Sequence, residues 1–416
     1  MKRSRLPMLA VFPLSVLAVV VGTPLFIGNQ PVRWDSGSVL PRLVFGNDGS
    51  GAGNSTSATG TKKSASPNSS SSSGSASEDT LKVAKAWKEG MPQWGVQLYW
   101  EEETKKRSDD FVVEQARKHA KYLISLGANS VSISFPFYTG GRTSNTLTAG
   151  AKTPSAERLQ KVLKVFEDAG FRTTVRPIMD EASLDPPTGW RGNIEPASRS
   201  AWFASYLKLL TPYLKVADQD KANTFVIGTE LNSMEGAPGW DSLVASAEKV
   251  FSGEVAYDAN WDNYVSGRIN MPVSHLGVDA YFPVKVPDNA SVDRLAEGWN
   301  TWLDKKTTGD LPNITLAEAG IGAMNGAYKS PGDFYTKNPV NPQVQANWYT
   351  AVCKVVQERR MSGVYWWSIY FDDDPNTPPD DKTASRLDFA GRPKSEKAVK
   401  TCFTSDYAGP GSAAAQ

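Results

Sequence analysis

A (β/α)8 barrel is the fold class this sequence predicts, and three observations predict it. Between residues 80 and 404, eight short apolar runs alternate with amphipathic stretches of helical period. The runs are apolar nearly throughout rather than at every second position, as strands covered on both faces must be. The turn after the first run, Trp100-Glu101-Glu102-Glu103-Thr104, lacks the glycines with which an open doubly wound sheet cradles a phosphate. Eight strand–helix units in about 320 residues close a barrel.

Taken in order, the strands are expected at 94–99, 130–135, 172–178, 224–228, 254–258, 276–280, 314–317 and 363–368. Most are bounded by Gly, Pro or Asn, residues that break a strand or turn the chain. Amphipathic helices fit the gaps at 110–126, 155–169, 197–216, 240–251, 292–305 and 343–360.

The flanks read differently. In residues 1–28, Lys2, Arg3 and Arg5 precede an apolar run from Leu6 to Ile27. That run exceeds the usual signal-peptide core of ~7–15 residues and approaches the ~20 that span a bilayer. No small-x-small cleavage site follows, so an uncleaved membrane anchor is preferred, with a cleaved signal peptide as the alternative. Either places the rest of the chain outside the cell. Residues 29–79 form an expected flexible linker, almost wholly Gly, Ser, Ala, Thr and Asn from Gly49 to Ser77, too polar to order itself. Residues 405–416 read as a disordered tail.

Composition excludes several functions. The chain has 45 Lys and Arg against 44 Asp and Glu, so no basic face draws it to nucleic acid. Its two histidines, His119 and His275, are far apart with no cysteine beside either, which speaks against a zinc site. No cofactor is implied, and the chain is expected to act as a monomer. The two cysteines, Cys353 and Cys402, are expected to pair, joining the helix before the eighth strand to the closing helix after it; the alternative is two small buried apolar residues. The 13 Trp, 14 Tyr and 16 Phe supply core, and a tryptophan surplus also suits stacking on sugar rings.

Barrel enzymes place their chemistry at the carboxyl ends of the strands. Standing there are Trp100, Tyr138, Asp180, Glu230, Asn260 with Trp261, Tyr281, Glu318, and Trp366 with Trp367; Arg176 in the third strand joins them as a candidate substrate-binding residue. Acids and aromatics of this kind suit a neutral, hydroxyl-rich ring. Glycosidic cleavage needs two carboxyl groups, one protonated to assist the leaving oxygen and one ionised. Glu230 ends the fourth strand in Phe225-Val226-Ile227-Gly228-Thr229-Glu230-Leu231, and Glu318 ends the seventh in Ile314-Thr315-Leu316-Ala317-Glu318. An acid closing a buried strand is more often functional than a surface glutamate.

In these segments the sequence resembles the clan A glycoside hydrolases, and among them family 113, the β-mannanases and β-mannosidases. The resemblance is carried by Gly189-Trp190-Arg191-Gly192, Ala201-Trp202-Phe203-Ala204-Ser205-Tyr206, Ile227 to Leu231, Ala259-Asn260-Trp261-Asp262, Gly277 to Pro283 and Val364-Tyr365-Trp366-Trp367, in order over most of residues 90–402. It implies a retaining glycosidase with Glu230 as acid/base and Glu318 as nucleophile, and an oligo- or polysaccharide, by default a β-mannan, as substrate. Tyr281 would bond the nucleophile, and Trp366 or Trp367 would floor the subsite of the cleaved sugar. Ile178 stands where the family is expected to carry His, which leaves the sugar open.

Other readings are weaker. Gly320-Ile321-Gly322 lacks the basic neighbour a phosphate site needs. Lys285 lies past the sixth strand, out of place for Schiff-base chemistry. Asp372-Asp373-Asp374 with Asp380 and Asp381 reads as a solvated loop before it reads as a calcium site. A non-catalytic glycan-binding barrel would have no need of both Glu230 and Glu318.

Overall fold

Ser108, Ser155, Ser198 and Ser291 each stand just ahead of a helical stretch. In the computed structural model each side-chain oxygen accepts the backbone N–H three residues on, closing the first helical turn. The structure describes residues 81–102, 107–184, 189–267, 269–334, 336–381 and 386–411. The expected anchor (1–28), linker (29–79) and tail beyond 411 lie outside the described residues.

The strands are β1 (Gln93–Tyr99), β2 (Ser130–Thr139), β3 (Leu147–Thr148), β4 (Arg172–Met179), β5 (Thr224–Thr229), β6 (Glu254–Asn260), β7 (His275–Asp279), β8 (Ile314–Ala319) and β9 (Gly363–Tyr370). The helices are α1 (Asp109–Leu126), α2 (Ala156–Asp168), α3 (Arg199–Gln219), α4 (Gly239–Glu248), α5 (Trp261–Ser266), α6 (Val292–Leu303), α7 (Pro342–Glu358) and α8 (Pro393–Phe403). All strands but β3 pair in parallel in the order β1, β2, β4, β5, β6, β7, β8, β9, and β9 returns to β1 from Gln93↔Gly363 to Tyr99↔Tyr370. Each barrel strand is followed by a helix, so this is the expected (β/α)8 barrel.

Three details depart from expectation. Pro136 suggested that the second strand stops at 135, yet β2 runs on to Thr139 in register with β4, Phe135 facing Pro177 and Pro136 facing Ile178. The two-residue β3 adds an antiparallel pair to that extension. The tail was expected to be loose from Ser405, but Tyr407 donates to the Met361 carbonyl at 2.8 Å, and the Pro410 carbonyl accepts from Arg360. A single aromatic with a polar tip suffices to tie down an otherwise small-residue segment.

The core is aromatic. Trp100, Trp202, Trp240, Trp299, Trp348, Trp366 and Trp367 are almost fully buried, so most of the tryptophan surplus belongs to packing. The disulfide joins Cys353 on α7 to Cys402 on α8, Cα atoms 5.8 Å apart, as the placement of the two helices around the barrel required.

Candidate active site

Backbone irregularities aim the two carboxylates. The β5–β6 register shifts between Val226 and Thr229, immediately before Glu230. On either side of β8 the register shifts again, between Val278 and Asp279 toward β7 and between Leu316 and Ala319 toward β9, and Glu318 lies in that interval. Such irregularities re-aim a side chain that regular pleating would send elsewhere. Glu230 also has φ +52, a left-handed backbone that non-glycine residues adopt at a cost of about 1–3 kcal/mol. Its N–H donates to the Asp258 carbonyl at 2.8 Å, and the Tyr257 hydroxyl accepts from the Leu231 N–H at 2.9 Å, holding the bend.

Glu318 is buried between two donors. The Tyr281 hydroxyl donates to Oε2 at 2.5 Å, and Arg176 Nη1 lies 2.6 Å from Oε1. Arg176 is itself wholly buried, its other nitrogens 2.6 Å from Asp258 and 2.9 Å from Asp279. Glu230 is equally buried; Asn260 Nδ2 donates to its Oε1 at 2.8 Å and Arg191 Nη1 to its Oε2 at 2.7 Å. Asn260 serves twice, since its Oδ1 also caps α5 by accepting from Asp262 N at 3.2 Å. Arg191 follows β4 in a single 3-10 turn, its Nε donating to the Met179 carbonyl at 2.9 Å.

Five buried carboxyls (Glu181, Glu230, Glu318, Asp258 and Asp279) share two buried guanidinium groups, Arg176 and Arg191. In so dry a place burial opposes ionisation of a carboxyl and a nearby guanidinium favours it. Burial pushes the Glu230 carboxyl up to about 7, Arg191 opposing this and the charges of Glu318 and Glu181 adding to it. Burial raises Glu318 too, but Arg176 and the Tyr281 hydrogen bond pull it back. Asp279 is raised well above the carboxylate range, first by burial and then by Glu318. One carboxyl poised near neutrality beside another held by a cation and a hydroxyl can run acid–base and nucleophilic chemistry side by side.

Of the residues singled out from sequence, the structure gathers Glu230, Glu318, Tyr281, Asn260, Arg176 and Trp367. Trp367 faces inward, 5.7 Å from both the Arg176 guanidinium and the Tyr99 ring. Trp366 faces outward, packed at a tilt against Tyr349 of α7 at 4.8 Å. Asp180 and Tyr138 lie near the Tyr99 hydroxyl, whose ionisation their charges oppose after burial itself. Three of the expected sugar-contact residues are engaged with other side chains. Trp100 is buried against Phe371 at 4.6 Å, Trp261 packs edge-on to Trp302 at 5.0 Å, and Arg176 is engaged by carboxylates rather than held out toward a ligand.

Sequence reasoning passed over Arg191, Glu181, Asp258 and Asp279. Arg191 stood in the Gly189–Gly192 segment without a role; Asp279 is the last residue of β7, and Asp258 lies two residues before the end of β6. Among the described residues no group of three or more His, Cys, Asp or Glu could hold a metal ion.

The family model for Glycoside Hydrolase Family 113 matches residues 91–384. Among solved structures, the chain is similar to a family 113 β-1,4-mannanase in a complex, at 17% identity and TM-score 0.61, covering 76% of this chain and 99% of that one. It is likewise similar to a family 113 β-mannanase from Alicyclobacillus acidocaldarius in complex with ManMIm, at 18% identity and TM-score 0.60, covering 76% and 97%. At such identities the likeness is one of fold. No curated protein matches.

Proposed function

The chain belongs to glycoside hydrolase family 113, and on that premise we propose that this glycosidase hydrolyses β-mannosidic bonds with retention of anomeric configuration. Glu318 attacks the anomeric carbon as its bond to the glycosidic oxygen breaks, and Glu230 gives that oxygen a proton. Water then donates a proton to Glu230 while its oxygen displaces Glu318 from the sugar. The observation that carries this reading is the unequal setting of the two buried carboxyls. Glu318 has Arg176 and the Tyr281 hydroxyl against it, and Glu230 has Arg191 and the Asn260 amide; burial, with the charges of Glu318 and Glu181 nearby, pushes Glu230 up to about 7, where it can give and take a proton.

The β-mannoside preference is supported by family membership and by the printed descriptions of the similar structures. Export, with the catalytic domain tethered outside the cell, is supported by the basic-then-apolar start of the sequence and by a buried disulfide of the kind that persists in oxidising compartments.

The test is hydrolysis of β-1,4-mannan and 4-nitrophenyl β-mannoside against the corresponding glucan, xylan and aryl glycosides. NMR then reads the anomer formed first. A β-anomer from the mannoside is expected; an α-anomer overturns the nucleophilic role of Glu318, and cleavage of other sugars only overturns the mannoside reading.

A further inference from the structure

Both carboxylate oxygens of Glu230 already accept hydrogen bonds, one from Asn260 and one from Arg191. A carboxyl gripped in this way is gripped as the anion. To act as an acid it must carry a proton on one oxygen and point that oxygen at the leaving group. A guanidinium has only donors, so it cannot hydrogen-bond a hydroxyl proton on Oε2. A protonated Oε2 is a neutral and weaker acceptor, so a neighbouring carboxylate then competes better for the arginine.

Arg191 has a second acceptor within reach. Glu181 Oε1 lies 3.4 Å from its Nη2 and accepts from its backbone N–H at 3.1 Å. Nη2 is buried and makes no hydrogen bond while Nη1 is on Glu230. Nε is held separately, donating to the Met179 carbonyl at 2.9 Å, which leaves Nη1 and Nη2 to the two carboxylates.

We infer that Arg191 is a positioning residue that alternates between Glu230 and Glu181 as Glu230 gains and loses its proton. The inference rests on the acid/base role proposed for Glu230. Before cleavage Arg191 rests on Glu181, and the protonated Glu230 is free to face the leaving oxygen. As the proton passes to that oxygen, Glu230 becomes a carboxylate and Arg191 closes on it, steadying the base that the water step needs. When water returns a proton to Glu230, Arg191 goes back to Glu181. The other charged or titratable groups that act on Glu230 are Glu318 from β8 and Arg176 from β4. Asp279 and Tyr281 at the end of β7, and Tyr257 of β6, also feel its charge. Of the charged groups among the described residues, only Arg191 is in direct hydrogen-bond contact with Glu230 and also has a second carboxylate beside it.

The experiment follows the pH dependence of kcat/KM for the full chain on 4-nitrophenyl β-mannoside. The alkaline limb of this profile reports loss of the Glu230 proton. Arg191→Met should move that limb up, and Glu181→Gln, which leaves Arg191 on Glu230, should move it down, each by about one pH unit. The double variant separates a turning guanidinium from two fixed charges. With alternation, Glu181→Gln adds little once Arg191 is gone, and the limb stays high. With fixed charges the two displacements cancel, and a limb back at the wild-type position overturns the inference. Should Arg191→Met fail to fold, the isosteric Glu181→Gln decides alone: an unmoved limb overturns the inference. Azide rescue of Glu230→Ala is run in parallel. Its absence overturns the acid/base reading itself, whereas rescue with unmoved limbs overturns only the alternation.

Discussion

Tyr281→Phe removes one oxygen atom and leaves the ring in place. That oxygen lies 2.5 Å from Glu318 Oε2, while Arg176 remains 2.6 Å from the other carboxylate oxygen, so the nucleophile stays oriented. A hydrogen bond from a neutral donor to a buried carboxylate contributes about 1.5–3 kcal/mol, realised only when the carboxyl is ionised. Burial already pushes Glu318 upward, and Tyr281 is one of the groups holding it down. Without the hydroxyl, protonation of Glu318 is easier and sets in at a higher pH. The nucleophile works only as the anion, so activity is lost as pH falls through its titration, and the acid limb of kcat/KM moves to higher pH. At a fixed, mildly acidic pH the same energy corresponds to a fall of about 10- to 100-fold in kcat/KM. The alkaline limb, set by Glu230 at about 7, should move little. The assay is kcat/KM against pH on 4-nitrophenyl β-mannoside, with a thermal melt to establish that the variant is folded. An acid limb at the wild-type position in a folded variant refutes the reasoning.

Two further predictions concern packing. Trp366→Ala removes a ring packed against Tyr349 and should destabilise by about 3–5 kcal/mol while leaving kcat/KM of the folded enzyme unchanged. Trp367→Ala, whose ring faces Arg176 and Tyr99, should lower kcat/KM by at least about tenfold; melts and kinetics on both variants check the pair, and equal kinetic losses would contradict the assigned orientations. Replacing both Cys353 and Cys402 by Ser opens a loop closed across a separation of 49 residues, and chain entropy alone sets the loss near 4 kcal/mol. Denaturation with and without reductant measures it, and a wild-type midpoint under full reduction would count against it.

The barrel itself was legible along the chain because its signals are local: apolar runs of strand length, bounding Gly, Pro and Asn, and helical periodicity. Glu230 and Glu318 were legible for the same reason, since an acid that closes a buried strand contradicts its own neighbourhood. Pro136 misled because a missing N–H reads as a strand end, although a proline can sit inside a strand wherever the pairing does not require that donor. Other properties belong to the tertiary structure alone. Neighbouring residues of a strand point to opposite faces, so one of Trp366 and Trp367 had to face inward, but only the register of β9 between β1 and β8 decides which. Arg176 was read as a candidate ligand-binding arginine from its place in the third strand. Its partners Asp258 and Asp279 lie 82 and 103 residues away and meet it only when the barrel closes. Arg191 escaped notice likewise, because its partner across the site, Glu230, lies 39 residues along the chain. Strands and caps follow from interactions within a few residues. A buried charge network is decided by which strands lie side by side, and no local pattern specifies that.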